Sequence, residues 1–177
     1  MKLEYSRDWV TRNTEVWKNV LGKYQHQPNI KALEIGTYEG RGAIWFLENI
    51  LTHESSRLVC IDPAIKPIFF ENTKQYKDKI QLINDKSQYA LRSQQFLSNQ
   101  FDFVYIDGSH NASDVLEDVI LCFRYIARNG ILIFDDYELE VDHELRGPKI
   151  AIDSFMRIFA GKYQLIHKGF QVILEIF

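Results

Sequence analysis

Two cysteines in 177 residues and no long apolar stretch set the first limits on this chain. Cys60 and Cys122 lie inside apolar runs and in no CxxC or Cys/His spacing, which excludes a disulfide framework and a structural zinc site. Both are read as core residues of a reducing compartment. No apolar segment approaches the roughly 18 residues that a membrane-crossing helix needs. An excess of one charge is also missing. With 21 basic and 24 acidic residues, a net charge of -3 and no long run of either sign, the chain has no electrostatic footprint for nucleic acid or an anionic membrane. The residues after Met1 are polar and charged, without the apolar stretch of a secretory leader, so the expected location is cytoplasmic. Repeats, low-complexity tracts and linkers are absent as well, which makes residues 1–177 one domain. What is present is a core: 46% hydrophobic and 14% aromatic residues.

That apolar content is patterned. Residues Asp8 to Tyr24 carry Trp9, Val10, Val16, Trp17, Val20, Leu21 and Tyr24 at helical spacing, so residues 1–28 hold an amphipathic helix with Trp9 and Trp17 packed on the sheet layer. Strands and helices then alternate. Strands are expected at Lys31–Ile35, Arg57–Asp62, Lys79–Asn84, Phe101–Asp107 and Gly130–Asp135, and helices at Gly40–Leu51, Ile68–Tyr76, Ser87–Leu97 and Ala112–Ala127. Ala32–Ile35, Leu58–Ile61, Phe103–Ile106 and Ile131–Phe134 are near-continuous apolar runs, as parallel strands covered on both faces require. The fold class is therefore α/β, a doubly wound sheet with residues 31–136 as its ligand-binding core. Residues 137–177 add a loop (Tyr137 to Pro148), a helix (Ile150–Phe159) and two strands, Tyr163–His167 and Phe170–Phe177. Lys168-Gly169 between these strands is too short for a parallel crossover, so the sheet closes with an antiparallel hairpin.

The first strand runs into Glu34-Ile35-Gly36-Thr37-Tyr38-Glu39-Gly40-Arg41-Gly42, a turn through which backbone can approach a ligand at a helix N-terminus. A dinucleotide fingerprint is broken there, because Trp45 stands where the third glycine would be. Glu34 and Glu39 would repel phosphates but suit a ligand carrying an ammonium and a sulfonium, which points to S-adenosylmethionine. Asp62, closing the second strand, can accept hydrogen bonds from both ribose hydroxyls. An NAD(P)-dependent oxidoreductase shares that last feature and is the alternative, as is a catalytically silent binding module.

Strands four and five end in Asp107-Gly108-Ser109-His110 and Asp135-Asp136-Tyr137, at the sheet edge where ligands bind in open α/β folds. Like charges about 4 Å apart at an effective dielectric near 20 repel by roughly 4 kcal/mol, so three carboxylates need a cation or a shared proton. Hard oxygen donors suit Mg²⁺, with Mn²⁺ or Ca²⁺ as further options. Such an ion would hold a substrate hydroxyl and lower its pKa, and His110 would take the proton near neutral pH.

On these residues the chain resembles the class I S-adenosylmethionine-dependent methyltransferases. Within them it is similar to the cation-dependent O-methyltransferases of catechol, caffeoyl-CoA and macrolide- or aminocoumarin-sugar type. The carrying motifs are Leu33–Gly40, Cys60-Ile61-Asp62, Asp85-Lys86-Ser87-Gln88, Tyr105–His110 and Ile133–Tyr137. The resemblance implies a Rossmann-like seven-stranded sheet of order 3-2-1-4-5-7-6 with the last strand antiparallel and helices on both faces. It also implies that Glu34, Gly36, Thr37, Tyr38, Gly40 and Gly42 meet the methionine end of the cofactor, Asp62 its ribose, and Ser87 with Gln88 its adenine. Asp107, Asp135 and Asp136 become the metal ligands, and Asp107 with His110 the catalytic pair. The expected partner is a small hydroxylated acceptor; a homo-oligomer is compatible with the sequence. Asp136 and His110 replace an Asn and a Lys of the catechol type, and Ser109 a second acid of the sugar type.

Overall fold

In the computed structural model, which describes residues 3–93, 96–98, 100–143 and 146–177, the alternation becomes one seven-stranded sheet. Its strands are β1 Lys31–Ile35, β2 Arg57–Ile61, β3 Ile80–Ile83, β4 Phe101–Ile106, β5 Ile126–Phe134, β6 Tyr163–Lys168 and β7 Val172–Ile176. The order is β3-β2-β1-β4-β5-β7-β6, with β7 antiparallel to both of its neighbours. This is the expected topology, hairpin included. In β1 and β2 every residue after the first is buried, because helices cover both sheet faces.

The helices divide between those faces. α1 (Thr14–Leu21), α2 (Arg41–Asn49) and α3 (Pro67–Thr73) share a core with Ala32, Cys60, Phe103 and Ile133. On the other face α4 (Ser87–Ser93), α5 (Ala112–Phe123) and α6 (Pro148–Ile158) pack on Leu33, Val59, Val104 and Leu132. Side chains alternate along a strand, so Glu34, Tyr105 and Asp107 all face the α1–α2 side. Both cysteines are buried and free, as expected. No described helix is long and apolar enough to cross a membrane.

Several boundaries differ from the sequence reading. The first helix does not begin at Asp8, because Asp8 Oδ1 accepts the Val10 and Thr11 N–H groups at 3.2 and 3.0 Å and holds that segment outside a regular helix. Turns of 3₁₀ type at Thr11–Asn13 and Gly22–Tyr24 flank α1 instead. The helix expected to reach Ala127 stops at Phe123, since Ile126 is buried and pairs with Phe101 as the first residue of β5. The expected helix Ser87–Leu97 is observed to Ser93, and residues 94 and 95 lie outside the described part, as do 144 and 145 in the loop after Tyr137. Trp17 is fully buried, with its ring 4.7 Å from Phe46 and 5.2 Å from Tyr105. Trp9 is not core: it is 53% exposed and tilts against Tyr38 at 5.8 Å.

Asp118 on α5 is buried, and that desolvation pushes its pKa up to about 6, partly offset by a hydrogen bond from Ser87. A folded pKa above the unfolded one means stability that is full at low pH and is lost as pH rises through 6. Asp118→Asn removes this dependence. Its stability advantage over the parent should grow by about 2 kcal/mol between pH 4 and pH 7, read from urea unfolding at both pH values. A constant difference would show that Asp118 is not desolvated.

Candidate functional site

The turn after β1 is held by backbone geometry that only glycine supplies. Gly36 has φ +86°, and a Cβ there would lie 2.0 Å from the Asp107 carbonyl oxygen. The carboxyl ends of β1 and β4 therefore touch through a missing side chain. A Cβ on Gly42, in the first turn of α2, would meet Glu34 Oε1 at 2.5 Å. Glu34 consequently sits beneath the turn, 1% exposed, accepting the Thr37 hydroxyl at 2.7 Å. Burial raises its pKa to about 7.

Asp62 closes the turn from the β2 side. Its Oδ2 accepts the Thr37 and Tyr38 N–H groups at 2.9 and 2.8 Å, and its Oδ1 the Ala64 N–H at 2.7 Å. Oδ1 keeps capacity for a further donor, and the residue remains at the cavity wall. Tyr38 follows with φ +46°, its hydroxyl 3.3 Å from Ser6 Oγ. The segment ahead of α1 is thereby fastened over the turn; the Ser6 N–H also donates to Glu39 Oε2 at 2.7 Å.

Beside the turn lies an acidic floor. The Tyr105 hydroxyl is 2.9 Å from Asp107 Oδ2 and 2.5 Å from Asp135 Oδ2. A hydroxyl has one hydrogen, so two such contacts require a second proton on one carboxyl. Asp107 fits that need: burial first, then the charges of Asp135 and Asp136, push its pKa well above the usual carboxylate range. Asp135 Oδ2 also accepts Gln171 Nε2 at 2.8 Å, and Gln171 Oε1 accepts the Trp17 indole N–H at 2.7 Å. Asp135 Oδ1 takes the N–H of Asp136, which sits at φ +58°. Asp136 Oδ2 meets His110 Nε2 at 2.9 Å, and this bond raises the imidazole pKa. One donor atom each from Asp107, His110 and Asp136 lies within 4.8 Å of the others, a spacing that fits a shared cation.

Turn and floor face one cavity of about 620 Å³. Glu34, Gly36, Thr37, Tyr38, Gly42, Asp62, Asp107, His110, Asp135 and Asp136 all line it. Ser87 and Gln88 line an adjoining cavity of about 350 Å³ that shares Gly36, Asp62 and Gly108 with the first. Gly40 is the exception, turning at φ +81° against the Phe69 ring rather than at either cavity wall. Residues missed by the sequence reading are Tyr105, Gln171, Trp9 and the arginines Arg7 and Arg12. Tyr105 had a signal, since it stands two residues before Asp107 and so on the same strand face. Gln171 had none, because it arrives from the distant hairpin.

Residues 33–137 match a protein family described as a methyltransferase domain. An uncharacterized protein of Acanthamoeba polyphaga mimivirus is 29% identical over 115 residues, covering 60% of this chain and 51% of that protein. The chain thus matches about half the length of that relative. Among solved structures, an O-methyltransferase from Bacillus cereus in complex with S-adenosylhomocysteine superposes with a TM-score of 0.70 at 17% identity, over 97% of this chain and 84% of that one. The methyltransferase MycE of mycinamycin biosynthesis, in complex with Mg, S-adenosylhomocysteine and mycinamycin VI, gives a TM-score of 0.71 at 16% identity, over 96% of this chain and 50% of that one.

Proposed function

From the premise that the chain belongs to the methyltransferase-domain family, we propose that it moves a methyl group from S-adenosylmethionine to a hydroxyl oxygen of a small molecule with a divalent cation's help. The observation that carries this reading is the meeting of Asp107, His110 and Asp136 donor atoms within 4.8 Å on the wall that also holds the glycine turn and Asp62. The family match favours it over the oxidoreductase alternative.

Glu34 would compensate the ammonium of the cofactor, with the backbone from Gly36 to Gly42 and the Tyr38 ring beside the sulfonium. Asp62 would bind the ribose hydroxyls, and Ser87 with Gln88 the adenine. Asp107 and Asp136 would hold the cation, with Asp135, whose oxygens accept Tyr105, Gln171 and the Asp136 N–H, supporting them as a further ligand. When bound, the ion neutralises these acids and lowers the pKa of a hydroxyl held against it. His110 would take the proton of the acceptor hydroxyl, and the cofactor when bound would supply the methyl group from its sulfonium, which would be left as a neutral thioether.

Two measurements test this reading. Chelator, or Asp136→Ala, should lower the transfer rate at least tenfold while the dissociation constant for S-adenosylhomocysteine moves less than threefold; an undiminished rate in chelator removes the cation. Glu34 supplies the other. With a pKa of about 7 it is half protonated at neutral pH in the free protein, and a ligand ammonium held beside it favours its carboxylate. Affinity for S-adenosylhomocysteine should therefore weaken as pH falls below 7, approaching tenfold per unit. Calorimetry in buffers of different ionisation enthalpy should record proton release on binding at pH 6, a release that Glu34→Gln abolishes.

A further inference from the structure

The cavity that the acids line is also lined by arginines. Arg7, Arg12 and Arg41 all reach its wall, the first two from the segment ahead of α1. Arg41 is already engaged, with Asp8 Oδ2 at 3.3 Å and Thr11 Oγ1 at 3.1 Å. The acids are engaged as well: Glu39 by the Ser6 N–H, Asp62 by the turn amides, Asp136 by His110. Arg7 and Arg12 differ. Among the described residues neither side chain forms a hydrogen bond or an ion pair.

Both are exposed, and exposed arginines are ordinarily just solvated. Arg12 is distinguished by how it is held. Its guanidinium carbon lies 3.7 Å from the centroid of the Phe170 ring. Phe170 is anchored in turn, since its carbonyl accepts the Tyr137 N–H at 2.9 Å, one residue beyond Asp136. Stacking uses the face of the guanidinium and leaves its N–H edge available in the plane that matches an oxyanion bidentately. A planar cation is thus fixed at the wall of the cavity that the carboxylates also line, with its donors unspent.

We infer that the methyl acceptor carries an oxyanion, a carboxylate or a phosphate, bound by the N–H edge of Arg12 with Arg7 beside it. This rests on the methyl-transfer reading above. The arginines attract the anionic end of such a molecule, which leaves its hydroxyl end for the acid-lined part of the same cavity. A neutral acceptor gains nothing from the basic wall and lacks this orientation.

The test uses the chain loaded with S-adenosylhomocysteine and titrated with 3,4-dihydroxybenzoate, its neutral counterpart 3,4-dihydroxybenzamide, and phenyl phosphate. At least one anion should bind tenfold or more tighter than the amide, and which one does so separates carboxylate from phosphate. Arg12→Gln should erase that preference and Arg7→Gln reduce it, and rising salt should weaken it in the parent. The amide binding as tightly as both anions, no detectable anion binding, or an anion preference that survives Arg12→Gln would overturn the inference. Failure of S-adenosylhomocysteine itself to bind would instead sink the methyl-transfer reading, and this inference with it.

Discussion

Gly36→Ala should yield a chain that binds no S-adenosylhomocysteine and unfolds at a thermal midpoint lower by roughly 6–12 °C. Two costs combine. Alanine at φ +86° pays the left-handed penalty of about 1–2 kcal/mol. Its Cβ would also stand 2.0 Å from the Asp107 carbonyl oxygen, 2.5 Å from the Asp107 carbonyl carbon and 2.6 Å from Gly108 Cα, all backbone atoms with no rotamer to yield. β1 and β4 must therefore separate at their carboxyl ends, for a combined cost of about 3 kcal/mol or more, and a chain of this size loses about 2–4 °C per kcal/mol. The same displacement moves Glu34 and the turn amides away from Asp107, so the nucleoside pocket and the acidic floor fail together. Calorimetric melting and cofactor titration on one preparation check both parts; a midpoint within 2 °C of the parent would show that the two strand ends are not in contact.

The second large effect belongs to Tyr105→Phe. Phenylalanine keeps the ring against Trp17 and Phe46, 5.2 and 5.5 Å away, so packing survives. What disappears is the hydroxyl shared by Asp107 and Asp135. The carboxyls lose the group that sets their separation and one of the two side-chain donors on Asp135 Oδ2. A loss of 10–100-fold in cation affinity or transfer rate is expected, the range for partners that orient a metal's ligands. Stability should change by no more than about 1–3 kcal/mol, the cost of an unsatisfied buried group. Cation titration followed by heat release, with the melting curve as control, separates the two. Unchanged cation affinity would mean that Asp107 and Asp135 hold their positions without the tyrosine.

These effects explain which parts of the site could be read from one dimension. The acids Asp107, Asp135 and Asp136 are legible because each ends an apolar run, and a parallel sheet delivers all its carboxyl ends to one edge. The turn is legible because local backbone demands write glycine into the sequence directly. Tyr105 is camouflaged: between Val104 and Ile106 it looks like one more core side chain, and 2% exposure agrees with that reading. Only its hydroxyl partners reveal a polar task. Gln171 and Phe170 come from the β6–β7 connection and reach the site through strand order, which no local pattern encodes. Trp9 misled for a related reason, since its helical spacing with Val10 and Val16 is real but Asp8 breaks the helix that would have turned it inward.

The line from Asp135 through Gln171 to the indole of Trp17 gives this protein an optical gauge of its own. Trp17 is sealed from solvent, and its N–H ends a hydrogen-bonded path that starts at the acidic floor. Gain or loss of charge among the carboxylates repolarises that amide and with it the excited state of the indole. The chain has three tryptophans, so replacing Trp9 and Trp45 with phenylalanine leaves one emitter whose spectrum follows the occupancy of the acidic floor without any added label.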